Sequence, residues 1–231
     1  MPSHYRRYTL AALIYAAGFA YILLRWESIP DPVPIHVGLT GEADGFAPKT
    51  LLSTTAAMII GIVVSAVMPL LLPPRTLARR TVDVPAEDAL PFSETAARRV
   101  EKLCRASADL VSKIILALAA LLTVMNIGMV VPDAAIPFWL EIALWIGFIV
   151  YAVVTGMRVS SAKDGTEPDA EEQARNAQLR YQGGMGTYTA PNDPMVAAVL
   201  PSNPGKIAVN TAHAPGKRYL RRMILGVVAT P

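Results

Sequence analysis

His36 and Asp44 are the side chains in this sequence whose types and proximity best suit chemistry. An imidazole with carboxylates can hold a divalent ion such as zinc, and Glu42 or Asp31 could supply further oxygens. One imidazole is a thin ligand set. The preferred expectation is that His36 bonds a loop carbonyl or Asp44 and pins the loop's shape, so no metal is assigned. A protonation switch near neutral pH is the third option. Cys104 is the only cysteine, which rules out an intramolecular disulfide and a cysteine-based metal motif. His4 and His213 have no ligand-spaced neighbours, and Gly183, Gly184 and Gly186 are not followed by the Lys-Ser/Thr of a phosphate loop. No nucleophile and base fall together. The expectation is a protein that is not an enzyme, carries no cofactor and binds no nucleic acid.

The elements that must position these residues are apolar. No charge lies between Arg7 and Arg25, between Lys49 and Arg75, or between Lys113 and Asp133, and the stretch from Ile136 to Met157 carries only Glu141. A bilayer core of roughly 30 Å needs about 20 helical residues to cross it. With only 17% charged residues, against about a quarter in soluble chains, the composition agrees. The fold class expected is an all-α transmembrane four-helix membrane bundle with a small cytoplasmic β-rich C-terminal module. The four-span membrane domain covers residues 1–157, with spans at about 8–24, 51–72, 114–131 and 136–157. A linker at 158–182, whose charged stretch at 163–177 also suits an exposed helix, and the module at 183–231 follow.

Basic residues set the orientation, because those near span ends stay on the cytoplasmic side. Arg6 and Arg7 precede the first span, and the loop at 75–109 holds Arg75, Arg79, Arg80, Arg98, Arg99, Lys102 and Arg105. The loops at 25–50 and around Pro132-Asp133 are poor in them. Both termini are therefore expected in the cytoplasm of a multi-pass cell-membrane protein. Trp26 and Trp139 suit interfacial positions, whereas Trp145 is expected between helices. Within 75–109, Ser93 is a plausible N-cap. Val100, Leu103, Cys104, Ser107, Leu110 and Val111 recur at helical spacing, giving an amphipathic helix at the interface or a solvated one. In the first case its basic face meets anionic headgroups.

In the tail, apolar runs at 185–189, 195–200 and 206–210 separated by Pro/Asn/Gly clusters suggest a β-meander. Residues 217–231 are expected to form one more strand or a basic membrane-surface contact. Inside the spans, Asn126 is expected to make an interhelical hydrogen bond. Glu141 is either functional, as intramembrane acids often are, or close enough to the interface to reach water or pair with a group such as Lys49. Asp109 and Lys113 suit an i, i+4 surface pair. Gly61 with Ser65, and Ala143 with Gly147, are small-residue pairs that allow close helix approach.

The 25–50 loop carries the most specific pattern. Pro30, Pro32 and Pro34 stiffen it, and Gly38, Gly41 and Gly45 permit turns. It resembles the Pro-x-His loop that follows the first span in the family of Sdp-type toxin immunity proteins. Pro30, Val33, Pro34, His36, Gly41, Asp44, Gly45, Phe46 and Lys49 match that pattern in kind and spacing. Val37 and Gly38 depart from it, standing where an aromatic residue and an amide are usual. Tyr188, Pro191, Asn192, Asp193, Pro194 and Asn210 more loosely resemble a small cytoplasmic domain that often accompanies the loop. The resemblance implies a toxin-immunity or signal-receptor membrane protein. Its loop, through Pro34, His36, Gly41, Asp44, Gly45, Phe46 and Lys49, would be shaped to meet an extracytoplasmic ligand. The expected partners are the bilayer and a secreted peptide toxin or another membrane protein. The competing expectation is a structural or assembly subunit of a larger membrane complex.

Overall fold

Four long helices follow the four apolar stretches: α1 (Ser3–Leu24), α2 (Leu51–Val67), α3 (Glu94–Val130) and α4 (Phe138–Ser160). All four are long and apolar enough to cross a membrane. Helix is the form in which such a stretch satisfies its own backbone where no water can. The structure, a computed structural model, describes residues 3–38, 41–85, 87–160, 167–179, 186–199 and 205–228. Between α1 and α2 the strands β1 (Val33–Val37) and β2 (Ala43–Ala47) form a hairpin. After α4 come α5 (Ala170–Gln178), β3 (Thr187–Tyr188), β4 (Ala197–Val199), β5 (Ile207–Asn210) and α6 (Ala214–Val228). The fold is thus mostly helical with small sheets, one of them within the loop expected to be stiffened by proline and turned by glycine. The chain divides into two compact units, Met1–Ala66 with Val111–Thr155, and Val67–Leu110 with Gly156–Pro231.

In the first unit α1 buries Ala11, Tyr15, Gly18 and Ile22, and α2 buries Thr54, Thr55, Met58 and Gly61. Spacings of three and four residues put each set on one face. Glycines let these faces close. A Cβ on Gly18 would stand 2.6 Å from Thr123 Cγ2 and 2.7 Å from Met58 Sδ, and one on Gly61 would run into the Tyr15 hydroxyl and lie 2.7 Å from Leu122 Cδ1. Helices α1, α2 and α3 therefore meet through small residues, as membrane helices do where packing drives association. The hydroxyls of Thr54 and Thr55 turn back onto the carbonyls of Thr50 (2.9 Å) and Leu51 (2.6 Å), so their burial leaves no donor unmade.

The fourth helix departs from the expected bundle. None of its most apolar stretch is buried. Trp145, expected between helices, is exposed and meets Phe148 edge-on at 6.2 Å. A Cβ on Gly147 would touch nothing within 4 Å, so the Ala143/Gly147 pair closes no interface.

In the second unit the amphipathic segment before span three is the start of α3 itself, a single helix of 37 residues. Its apolar face is covered by protein: Val100 and Cys104 are buried with Leu77, Ala78, Val196, Ala197, Val209 and Tyr219. Its basic groups find acids within the unit. Arg79 Nη2 and Arg98 Nε reach Glu94 Oε1 at 2.7 and 3.0 Å, Arg99 Nε reaches Glu172 Oε1 at 2.8 Å, and Arg105 pairs with Glu101. Ser93 caps the helix, its Oγ accepting the Ala96 N–H at 2.9 Å.

Three further expectations for the tail change. The sheet runs β3-β5-β4, with β5 parallel to β3 and antiparallel to β4, so it is not a meander. Strand β5 carries the buried Ala208, Val209 and Asn210 and takes the centre, where both of its edges are bonded. The segment expected to be a linker or an exposed helix holds α5, capped by Asp169, but its Glu172 and Arg175 are buried. Residues 214–228 are helix α6 rather than strand, with Pro215 in the first turn where its missing N–H costs little. Tyr219 and Met223, one turn apart, face the core.

Candidate functional site

The hairpin's register is Val33↔Ala47, Pro34↔Phe46, His36↔Gly45 and Val37↔Ala43, with irregularities on both sides of His36. The tip is closed by Gly38 N–H donating to Glu42 O (2.8 Å) and Gly41 N–H donating to Gly38 O (3.0 Å). Gly41 has φ +85°, a conformation that L side chains rarely adopt, and it lies so close to Phe138 that a Cβ would stand 2.9 Å from its ring. Across the strands His36 Nδ1 pairs with Asp44 Oδ1. Glycine is required beside this pair. A Cβ on Gly45 would be 2.8 Å from His36 Cβ, and one on Gly38 would be 2.9 Å from Asp44 Oδ2. Gly38, one of the two departures from the family pattern, thus makes room for the carboxylate.

Lys49 ties the base of the hairpin. Its backbone N–H donates to Asp31 Oδ1 at 3.0 Å, its Nζ donates to Ile29 O at 2.8 Å, and its ammonium lies 5.2 Å from the Trp26 ring centroid. The option that Lys49 pairs with Glu141 is therefore not taken, and Glu141 sits half-buried in the first turn of α4. Nearby, Arg25 forms an ion pair with Asp133. What the hairpin presents is mixed: the His36–Asp44 pair, with side chains 69% and 56% exposed, and the exposed Ile35 and Phe46. Among the described residues no three His, Cys, Asp or Glu side chains gather as a metal site. The arrangement suits recognition by shape and contact.

Asn126 bridges helices. Its Oδ1 accepts the Ala57 N–H at 3.1 Å and its Nδ2 donates to Thr54 O at 2.7 Å, so both ends of the amide are used.

In the second unit the tail residues converge on one buried carboxylate. Asp193 Oδ2 accepts from Arg175 Nη2 (2.9 Å) and from the Tyr188 hydroxyl (2.7 Å). Asp193 Oδ1 accepts from Arg175 Nη1 and from the Met195 N–H (2.9 Å). His213 Nε2 donates to the Asp193 carbonyl at 2.8 Å. Burial, then the Asp193 charge, push the Tyr188 phenol well above its ordinary pKa, so it stays a donor. Asn210 Oδ1 accepts from Ala190 N–H (3.2 Å) and Ala212 N–H (3.1 Å), and its Nδ2 donates to Ala190 O (2.8 Å). The turn around Pro191, Asn192 and Pro194 offers carbonyls outward: Leu90 N–H donates to Asn192 O and Val82 N–H to Pro194 O, each at 2.8 Å. Tyr188, Asp193 and Asn210 were legible as a motif. Arg175 and His213 were not, since Arg175 lies in a charged helix that reads as solvated and His213 lacks a spaced partner. A network with its lone pairs filled specifies a fold and leaves nothing poised to react.

Comparison of the chain with curated proteins and with solved structures gave no match. Residues 13–62, which run from within α1 through the hairpin into α2, match the family described as Domain of unknown function (DUF1648), a membrane-associated family.

Proposed function

We propose that this is a multi-pass membrane protein of the toxin-immunity or signal-receptor type whose β1–β2 hairpin meets an extracytoplasmic ligand. The observation that carries the reading is the contrast within the hairpin. Its base and tip are held by Lys49, Asp31 and Gly41, while Ile35, His36, Asp44 and Phe46 stay exposed. A shape held while Ile35 and Phe46 stay unburied is what a binding surface needs. The clustering of basic residues outside the 25–50 loop supports placing the hairpin outside, with both termini and the second unit in the cytoplasm.

The test pairs Phe46→Ala with His36→Ala in the native host, challenged with its own secreted peptide fraction. Loss of protection at unchanged membrane abundance is the expected result. Loss of abundance in step with protection would make the loop structural. A second reading, an assembly subunit, is favoured by the unburied apolar length of α4. A stoichiometric partner retained by the wild type in detergent, and lost on placing polar residues at Ile146 and Val150, would select it.

A further inference from the structure

We infer that the second unit carries a binding pocket for the phosphate group of an anionic lipid at the membrane surface. An open cavity of about 210 Å³ lies between the segment after α2 and helix α6. Arg80, Arg218 and Arg222 line it, against an apolar wall that includes Leu77, Pro215 and Tyr219. Among the described residues no acidic side chain lines it. The neighbouring basic cluster of α3 is neutralised in place by Glu94, Glu101 and Glu172, which sets these three arginines apart. Gathering guanidinium groups without a counter-charge costs self-repulsion, which an anion in their midst would relieve.

The position identifies the source of the anion. Helix α6 is fastened to the end of the second apolar stretch: the Tyr219 hydroxyl donates to Leu71 O at 2.7 Å and Arg222 Nη2 donates to Leu72 O at 3.2 Å. With α2 crossing the bilayer, residues 71–72 stand where the chain leaves hydrocarbon, and the pocket lies at headgroup level. Its volume is below the roughly 300–1,000 Å³ that encloses a drug-sized molecule, so it takes one group of a larger molecule anchored elsewhere. Lys217 and Arg221 add basic charge along α6, while Leu70, Ile224 and Leu225 are exposed apolar side chains on the fastened segment and the helix. That combination suits a helix lying in the interface.

The test uses the full chain in nanodiscs of phosphatidylcholine with or without phosphatidylglycerol, reading lipid retention by native mass spectrometry after transfer to detergent. The wild type should retain phosphatidylglycerol selectively. The variant R80Q/R218Q should retain about 25-fold less, taking about fivefold for each arginine removed near an anionic surface. Neither side chain has a hydrogen bond to the fold among the described residues, and an unchanged Tm in pure phosphatidylcholine shows that the fold is kept. R221Q removes one charge from α6 at a residue that does not line the pocket, and should cost no more than about fivefold, the effect of a general surface charge. Equal retention of both lipids, or a loss in R221Q as large as in R80Q/R218Q, would overturn the pocket. Displacement of the lipid by inorganic phosphate alone would overturn the lipid as source.

Discussion

Arg175 and Asp193 form a two-pronged ion pair with side chains 1% and 0% exposed, joining α5 to the turn before β4. Breaking such a pair from one side strands a charge in the interior, which costs about 3–5 kcal/mol. Arg175→Met and Asp193→Leu should each destabilise the second unit by that order. The double change to Met and Leu should recover part of the loss, because no charge is then left behind. Protease susceptibility of the 167–228 region in the full-length protein, titrated with urea, reads the three variants. Additive losses would show that the two side chains do not act as a pair.

Asn126 should be worth about 1 kcal/mol to the helix assembly. Asn126→Leu removes the acceptor for Ala57 N–H and the donor to Thr54 O. Unfolding in mixed micelles should shift to lower denaturing-detergent fraction by that amount. An unchanged midpoint would mean that the two backbone groups find other partners.

Gly61 and Gly147 look alike in sequence but meet different surroundings. Gly61→Val drives a side chain into Tyr15 and Leu122, and should cost about 1–3 kcal/mol as overpacking does. Gly147→Val enters open space and should fall within about 0.5 kcal/mol of wild type. The same micelle titration compares them.

Hydrogen bonds from Arg79 and then Arg98 hold the Glu94 carboxyl down to about 2, below its ordinary 4.5. A depressed folded-state pKa means that the stabilisation is complete above about 4.5 and is lost as pH falls towards about 2. Hydrogen-exchange protection of the first turns of α3 should decline through that window. For Asp169, burial raises the pKa but hydrogen bonds from Glu172 N–H, Ser93 and Thr95 outweigh it, and its low value adds a decline of the same sign. Comparing wild type with Glu94→Gln isolates the Glu94 share, and identical pH profiles would refute it.

Cys104 is buried against the tail, and burial pushes its thiol up to about 11 despite the opposing charge of Arg75. Against the ordinary 9.0 that is about two units, or roughly a hundredfold less thiolate. Alkylation in mildly alkaline buffer should be slower by at least that factor in the native protein than in the unfolded chain. Rapid native labelling would show that the core around Val100 and Tyr219 opens readily.

Residue types alone marked the 25–50 loop as constrained, though not as a hairpin. Pro34, His36, Gly41, Asp44, Gly45, Phe46 and Lys49 fall in one constrained loop, and the bonds that shape it span no more than 20 residues. The Ser93 cap was legible for the same reason, since its bond reaches only three residues ahead. Arg175 was not legible, because its partner is a carboxylate across a turn and its helix is otherwise charged. Trp145 misled because an aromatic ring in an apolar helix fits an interhelical contact and a lipid-facing position equally well.

Crossing a bilayer is a property of length and apolar composition, both of which any stretch carries within itself. The four long helices were therefore written in the chain. Which helices touch, which strand lies in the middle, and that the 67–110 segment joins the tail in one compact unit belong to the tertiary structure. Those choices depend on buried groups such as Asn126, Glu172 and Gly61 finding partners far along the chain, and no local pattern specifies a distant partner.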